Sequence, residues 1–131
     1  MDIKKLINTA MEAREKAYVP YSGFKVGAAL LSKSGKIYTG CNIESASYTP
    51  TICAERTAIS KAVSEGDMAI EAIAVVGNPE EYTYPCGVCR QVIREFSKDA
   101  TIIVAKNEEE YKIYKLDDLL PYSFGPEDLN K

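Results

Sequence analysis

Apolar residues recur at regular intervals along the first third of the chain and predict a helix followed by a β-hairpin. Asp2 can cap a helix over residues 2–17, where apolar side chains follow one another at steps of three and four. Residues 24–31 and 36–43 are apolar and β-branched, and the polar, glycine-containing stretch 32–35 separates them. Two such runs joined by a short turn predict a hairpin.

The rest of the chain alternates helical and strand patterns. Its predicted elements are a helix over 53–65, a strand over 70–76, a helix over 86–97, strands over 100–105 and 111–115, and a short helix near Asp117. The order α-β-β-α-β-α-β-β-α indicates an α/β fold with a partly parallel sheet covered on both faces. The sequence has no repeat or linker, so we predict one domain, residues 1–131.

Composition narrows the chemistry that the chain can perform. Its 131 residues suit one domain with a core of its own, since 46% of them are hydrophobic. Histidine is absent, which excludes Ser-His and Cys-His mechanisms and histidine-ligated metals. Acid–base or metal chemistry must therefore come from cysteine, aspartate, glutamate, lysine, tyrosine or the backbone.

Charge and hydropathy argue against nucleic-acid and membrane binding. The net charge is −3 and the 16 basic residues are scattered, whereas polyanion binding depends on clustered Lys and Arg. No apolar stretch is long enough to span a membrane, and the charged start lacks the apolar core of a signal peptide. We therefore expect a cytoplasmic location, where the four cysteines serve as thiols or metal ligands rather than disulfides.

Three of the four cysteines lie in two short motifs at predicted helix starts. The motifs are Cys53-Ala54-Glu55-Arg56 and Pro85-Cys86-Gly87-Val88-Cys89. A helix N-terminus favours thiolate over thiol. Cys86 and Cys89 are one helical turn apart and can reach the same ion, to which Cys53 adds a third sulfur. Because catalytic zinc keeps three protein ligands and one position for water, the cluster predicts a zinc centre.

Other interpretations of the cysteines stay open at this point. Cys86 and Cys89 could form a thioredoxin-like redox pair, and all three thiols could be buried and unligated. A structural zinc site with four thiolates would need Cys41, whose apolar strand favours a packing role. Glu55 favours catalysis, because its carboxylate lies beside the metal but outside the ligand set, where it can take a proton from zinc-activated water.

These motifs resemble those of the zinc-dependent cytidine deaminases. The resemblance covers nearly the whole chain in order, through YVPYSGFKVGAAL at 18–30, GCNIE at 40–44, CAERTA at 53–58, PCGVCRQV at 85–92, and LLP at 119–121 with Phe124 beyond it. It is closest to the small, homotetrameric type with three cysteine ligands.

The resemblance implies a three-layer α/β/α fold with a mixed five-stranded sheet. It implies hydrolysis of cytidine and 2′-deoxycytidine to uridine and 2′-deoxyuridine, with release of ammonia, in pyrimidine salvage. It also implies one Zn²⁺ per chain, held by Cys53, Cys86 and Cys89, with Glu55 as proton shuttle. The expected partners are a small-molecule nucleoside and further copies of the chain, with no nucleic acid or membrane.

The resemblance further implies substrate contacts by five residues. Asn42 and Glu44 would hold the ribose hydroxyls, and Phe24 would form an aromatic wall of the pocket. The N–H of Ala54 would donate to the base carbonyl. Phe124 would come from a neighbouring subunit and complete the pocket. Simpler structural interpretations exist for most of them. Asn42 could be a turn residue, Glu44 a solvated carboxylate, Phe24 a core residue, and Phe124 part of a loop over the chain's own core.

Arg56 is expected to balance the charge of the metal centre. Three thiolates outweigh the charge of one Zn²⁺, and bound hydroxide adds to the excess of negative charge. Arg56 lies within one helical turn of Cys53, and its guanidinium stays charged and can donate to two sulfurs at once. The simpler interpretation is a surface arginine on an exposed helix face.

Three other functions would give different results from a nucleoside deaminase. A structural or binding protein with a closed zinc site would hold no metal-bound water and show no turnover. A deaminase of nucleotides or polynucleotides would need cations for phosphate, yet the chain is acidic and the expected sugar site carries Glu44. A deaminase of a modified nucleoside antibiotic would share the zinc motifs but should lack the pair Asn42 and Glu44.

Overall fold

The computed structural model describes residues 1–129, and within them the predicted elements occur in the predicted order. The helices are α1 (Ile3–Arg14), α2 (Ala54–Ser64), α3 (Gly87–Phe96) and α4 (Leu116–Leu119), and the strands are β1 (Gly27–Ser32), β2 (Ile37–Cys41), β3 (Ile70–Val76), β4 (Thr101–Ala105) and β5 (Tyr111–Lys115). A 3₁₀ turn at Pro126–Asp128 follows α4.

Two elements differ by three residues at one end from the bounds that the periodicity predicts. The first helix ends at Arg14, because each of the next three N–H groups bonds the carbonyl three residues before it and closes a tight turn. The first strand begins at Gly27, since the N–H of Val26 donates to the side chain of Asn42 at 2.9 Å.

The strands form one mixed sheet in the order β2-β1-β3-β4-β5. Strands β3 and β4 are parallel and are joined through α3, whereas all other neighbours are antiparallel. Helix α1 packs on one face of the sheet, and α2 and α3 pack on the other. The predicted three-layer α/β/α architecture with a mixed five-stranded sheet is therefore confirmed.

Burial on both faces explains the nearly continuous apolar runs of the two central parallel strands. Ile73 and Ile102 pack with Ile59 and Ile93 of the helices on one face. Ile103 faces the cluster around α1 on the other, so neither face of these strands tolerates polar residues. Within residues 1–129, no helix has the length and apolar character that crossing a membrane requires.

Two close approaches between helix and strand fix where the helices lie on the sheet. A Cβ at Gly40 in β2 would meet the carbonyl oxygen of Ala54 and would lie 2.6 Å from the nitrogen of Ala58. A Cβ at Gly27 in β1 would lie 2.8 Å from the Cα of Arg14. The glycine in β2 therefore lets the first turns of α2 lie directly against the strand.

Candidate active site

The three predicted metal ligands meet at the amino ends of α2 and α3. Cys53 and Cys86 are the N-caps of these helices, and Cys89 lies in the first turn of α3. The three Sγ atoms lie within 4.8 Å of one another, with 3.7 Å between Cys53 and Cys86. Tetrahedral zinc with Zn–S bonds of about 2.3 Å separates two sulfurs by about 3.8 Å, so this donor set fits Zn²⁺.

Cys41 lies apart from this cluster. It lines a groove between α1 and α2, together with Thr39 and Lys61, and it is not part of the group of three thiols that could hold an ion. Three thiolates leave the fourth position of a tetrahedral ion for water. This ligand number is typical of catalytic zinc rather than of closed structural sites.

Glu55 lies beside the cluster and is almost fully buried. It belongs to the first turn of α2, is 3% exposed, and lines the same cavity as Cys53 and Cys86. Burial raises the pKa of Glu55 to about 7, and the negative charge of Cys53 adds to the rise. A carboxyl that exchanges its proton near neutral pH can act first as a base and then as an acid.

Arg56 lies against the cysteine cluster as the charge argument expects. Its Nη2 donates to the Sγ of Cys53 at 3.6 Å, and its Nε is buried with no hydrogen-bond partner among the described residues. A hydrogen bond from Cys89 and the guanidinium of Arg56 lower the pKa of Cys53 to about 5. The same pairing raises the pKa of Cys89, whereas Arg56 acts to lower the pKa of both thiols. Arg56 is therefore the group that favours the thiolates that metal binding needs.

A cavity of about 230 Å³ opens over the cluster. Its lining includes Phe24, Asn42, Ala54, Glu55, Cys53 and Cys86. Ala54 is the first residue of α2, so its N–H has no acceptor within the helix and is available to a ligand. Three of the five residues expected to bind substrate therefore surround the predicted metal centre.

Asn42 is held by two backbone groups of the segment that precedes β1. Its Oδ1 accepts from the N–H of Val26 at 2.9 Å, and its Nδ2 donates to the carbonyl of Phe24 at 2.8 Å. A carboxamide has two donor hydrogens and two acceptor lone pairs. After these bonds Asn42 retains one donor and one acceptor for a ligand.

Glu44 lines an adjoining cavity, which shares Thr51 with the cavity over the cysteines. Its carboxylate accepts from the backbone N–H groups of Tyr21 and Ser22 at 3.1 Å each, and from the hydroxyl of Ser22. The hydrogen bonds from Ser22 and Tyr21 lower the pKa of Glu44. The carboxylate is therefore ionised and fixed to the loop that precedes Phe24.

Phe124 lies outside both cavities of its own chain. It is 58% exposed and does not line the cavity over the cysteines. The structure therefore does not bring Phe124 to this chain's own cluster. Its exposure also argues against the interpretation that it covers the chain's own core.

Several residues of this region were not predicted from the sequence. Thr83 and Tyr84 line the cavity over the cysteines, and Ser22 holds Glu44. The position of Thr83 and Tyr84 just before the second cysteine motif could have indicated them. Nothing in the sequence pairs Ser22 with a carboxylate 22 residues away.

The chain is similar in sequence to proteins of one described family. The model of the cytidine and deoxycytidylate deaminase zinc-binding region matches residues 1–106. The chain is 51% identical to the cytidine deaminase of Sporosarcina psychrophila, over 99% of this chain and 96% of that protein. It is 48% identical to the cytidine deaminase of Halalkalibacterium halodurans, over 99% of both.

The fold is similar to solved structures as well. The crystal structure of cytidine deaminase from Burkholderia pseudomallei superposes with a TM-score of 0.89 at 44% identity, covering 95% of this chain and 100% of that one. The structure of cytidine deaminase from Mycobacterium tuberculosis gives a TM-score of 0.85 at 39% identity, covering 95% and 98%. The chain is therefore similar to cytidine deaminases both in sequence and in fold, over nearly its whole length.

Proposed function

The chain belongs to the cytidine and deoxycytidylate deaminase family, and from this membership and its site we infer that it is a zinc-dependent cytidine deaminase. The reaction is the hydrolysis of cytidine or 2′-deoxycytidine to uridine or 2′-deoxyuridine, with the exocyclic amine leaving as ammonia. The observation that carries the inference is a buried Glu55 carboxyl beside three thiols that leave one metal position open.

Glu55 is the residue that moves protons in this reaction. Zn²⁺ held by Cys53, Cys86 and Cys89 would supply a water molecule that ionises near neutral pH. Glu55 takes a proton from the attacking water and delivers it to the ring nitrogen next to the amine-bearing carbon. It then takes the remaining proton of the added hydroxyl and passes it to the amine, which leaves as ammonia while the carbonyl forms. Its pKa near 7 suits it to both directions of transfer.

Backbone and polar groups around the cavity orient the nucleoside. The N–H of Ala54 donates to the base carbonyl, and Phe24 flanks the ring. Asn42 offers its remaining donor and acceptor to a ribose hydroxyl, and Glu44 accepts from a hydroxyl at the adjoining cavity. The negative charge of Glu44 disfavours a phosphate there, so a free nucleoside is the better substrate.

We further propose a homotetramer in which Phe124 of one subunit completes the site of another. The cavity of about 230 Å³ is smaller than the roughly 300–1,000 Å³ of most ligand sites, and Phe124 is exposed. Both observations support a site shared between copies. Four free cysteines suit a reducing, cytoplasmic location, and a preference for free nucleosides suits pyrimidine salvage.

Metal content and substrate spectra test this function. We expect one Zn²⁺ per chain by elemental analysis, and faster ultraviolet changes with cytidine and 2′-deoxycytidine than with cytidine monophosphate or free cytosine. Cys86→Ala should lower zinc content and thermal stability together, because the free energy of metal binding also stabilises the fold. Full zinc occupancy in that variant, or a preference for the monophosphate, would contradict the assignment.

Glu44→Gln tests the sugar site separately. Cytidine turnover should weaken while zinc is retained, since losing a charged hydrogen-bond partner costs about 1.5–3 kcal/mol. Glu71→Gln is the matched control, because Glu71 is an exposed carboxylate on β3. If both variants keep the wild-type rate, Glu44 has no part in binding the sugar.

A further inference from the structure

Residues 121–129, the terminal segment, are held to α3 by side-chain hydrogen bonds rather than by the sheet. Gln91 Nε2 donates to the carbonyl of Phe124 at 2.8 Å. Arg94 Nε donates to the hydroxyl of Ser123 at 2.7 Å. Gln91 and Arg94 of α3 thus hold two successive residues of the segment.

Arg94 is unusual because its guanidinium is buried. Its side chain is 3% exposed and forms an ion pair with Glu127, which also belongs to the terminal segment. Burying an arginine is unfavourable unless the charge is paired and hydrogen-bonded. The hydrogen bond from Arg94 lowers the pKa of Glu127 to about 2, so this partner stays ionised. Glu127 and Ser123 of the terminal segment therefore provide the ion pair and the hydrogen bond that a buried guanidinium requires. The guanidinium in turn holds the segment against α3.

Gly125 shows how closely the two parts fit. Its φ of −149° is ordinary extended backbone that any residue adopts, so conformation does not require glycine here. A Cβ at this position would instead collide with the guanidinium of Arg94. The backbone of the terminal segment therefore lies directly on the arginine.

Phe124 lies between the two residues that contact Arg94. Its carbonyl is bonded and its neighbours Ser123 and Gly125 are packed on the guanidinium, yet Phe124 is 58% exposed. An exposed aromatic ring on a fixed backbone has already lost the conformational entropy that ordering would otherwise cost on binding. The arrangement suits a ring that must reach a defined position outside its own chain.

We propose that Arg94 is a positioning residue, which with Gln91 and Glu127 holds the terminal segment so that Phe124 enters the substrate cavity of a second copy already ordered. The inference rests on the proposed role of Phe124 in a neighbouring site. Loosening the segment would weaken nucleoside binding through Phe124. It would leave zinc, Glu55 and the rate of the chemical step unchanged.

Kinetics of Glu127→Gln and Gly125→Ala test this role, because each weakens the contact with Arg94 in a different way. Each variant should raise KM for cytidine about tenfold and change kcat little. A tenfold rise in KM corresponds to about 1.4 kcal/mol, which is close to the cost of ordering one backbone residue. Glu110→Gln is the matched control, because it removes another exposed carboxylate from an ion pair, at 4.0 Å from Lys106. It should leave KM unchanged.

The decisive comparison combines each variant with Phe124→Ala. If the contact with Arg94 acts by positioning the ring, Glu127→Gln and Gly125→Ala raise KM no further once the ring is gone. Equal effects with and without Phe124, an unchanged KM in both single variants, or dissociation of the assembly by light scattering would overturn the inference. A wild-type protein that does not turn over cytidine would instead refute the proposed function, so the two failures are distinct.

Discussion

At the scale of single residues, the proton transfer that we propose is tested at Glu55. Glu55→Gln keeps the shape of the side chain but removes the group that exchanges a proton. We expect cytidine deamination to slow about 10²–10⁴-fold, the usual contribution of general acid–base catalysis. Zinc content should not change, because Glu55 is not one of the three thiol ligands. Steady-state kinetics and elemental analysis on one preparation measure both.

The control for this prediction is Glu65→Gln at the other end of α2. Glu65 is exposed and pairs with Lys36 at 3.6 Å, so its loss should not affect the rate. If Glu55→Gln is as active as Glu65→Gln, the proton does not pass through this carboxyl.

The metal ligands could be predicted at this scale, whereas some of their neighbours could not. One helical turn places Cys86 and Cys89 side by side, so their spacing permits a shared ion. Cys53 and Glu55 favour that ion over a redox pair. The bond between Ser22 and Glu44 joins two loops, and their approach depends on how the sheet places them. Local patterns contain no information about such a pair.

At the scale of elements, the contact between β2 and α2 sets the geometry of the centre. Gly40→Ala would place a methyl group against the backbone of Ala54 and Ala58. We expect the free energy of unfolding to fall by about 1–3 kcal/mol, the usual cost of overpacking. Zinc affinity should fall too, because α2 carries Cys53 whereas α3 carries the other two ligands. Denaturant unfolding and competition with a chelator measure these changes.

Gly87→Ala provides the same chemical change without the close approach. Gly87 is the first residue of α3. Apart from its chain neighbours and the backbone of its own helix, no atom of the described residues lies within 4 Å of the Cβ position there. Alanine favours helix over glycine by up to about 1 kcal/mol, so stability should stay the same or rise slightly. Equal losses in both variants would show that the contact at Gly40 does not determine where α2 lies.

Hydrophobic periodicity was sufficient to predict the elements but not how they approach one another. Strand β3 was predicted with its observed bounds, since burial on both faces leaves an uninterrupted apolar run. The end of the first helix was predicted too late, because apolar spacing continues into turns beyond Arg14. The sequence does not show whether a glycine such as Gly40 is needed for a turn or for the close approach of a helix.

At the scale of the whole molecule, the ion pair between Arg94 and Glu127 makes stability depend on acid pH. The hydrogen bond from Arg94 lowers the pKa of Glu127 from 4.5 to about 2. Between these values the unfolded chain binds more protons than the folded protein, so the contribution of the pair is present above about pH 4.5 and is lost as the pH falls toward 2. The urea midpoints of wild type and Glu127→Gln should therefore converge over this window.

Glu110→Gln serves as the reference for this pH series, since no comparable arginine is buried beneath Glu110. Its urea midpoint should keep a constant offset from wild type as the pH falls. Metal loss in acid affects all three proteins alike and cancels in the differences. A constant offset for Glu127→Gln as well would mean that the ion pair does not control acid stability.

The sulfur ligands come from two places in the chain, since Cys53 and Cys86 are 33 residues apart. An ion that joins them closes a loop with strand β3 inside it, as a covalent crosslink would. Closing a loop of this length lowers the entropy of the unfolded chain by an amount worth about 4 kcal/mol. Bound zinc would therefore act as a crosslink that stabilises the fold, and chelation should lower the denaturation temperature of the protein in calorimetry.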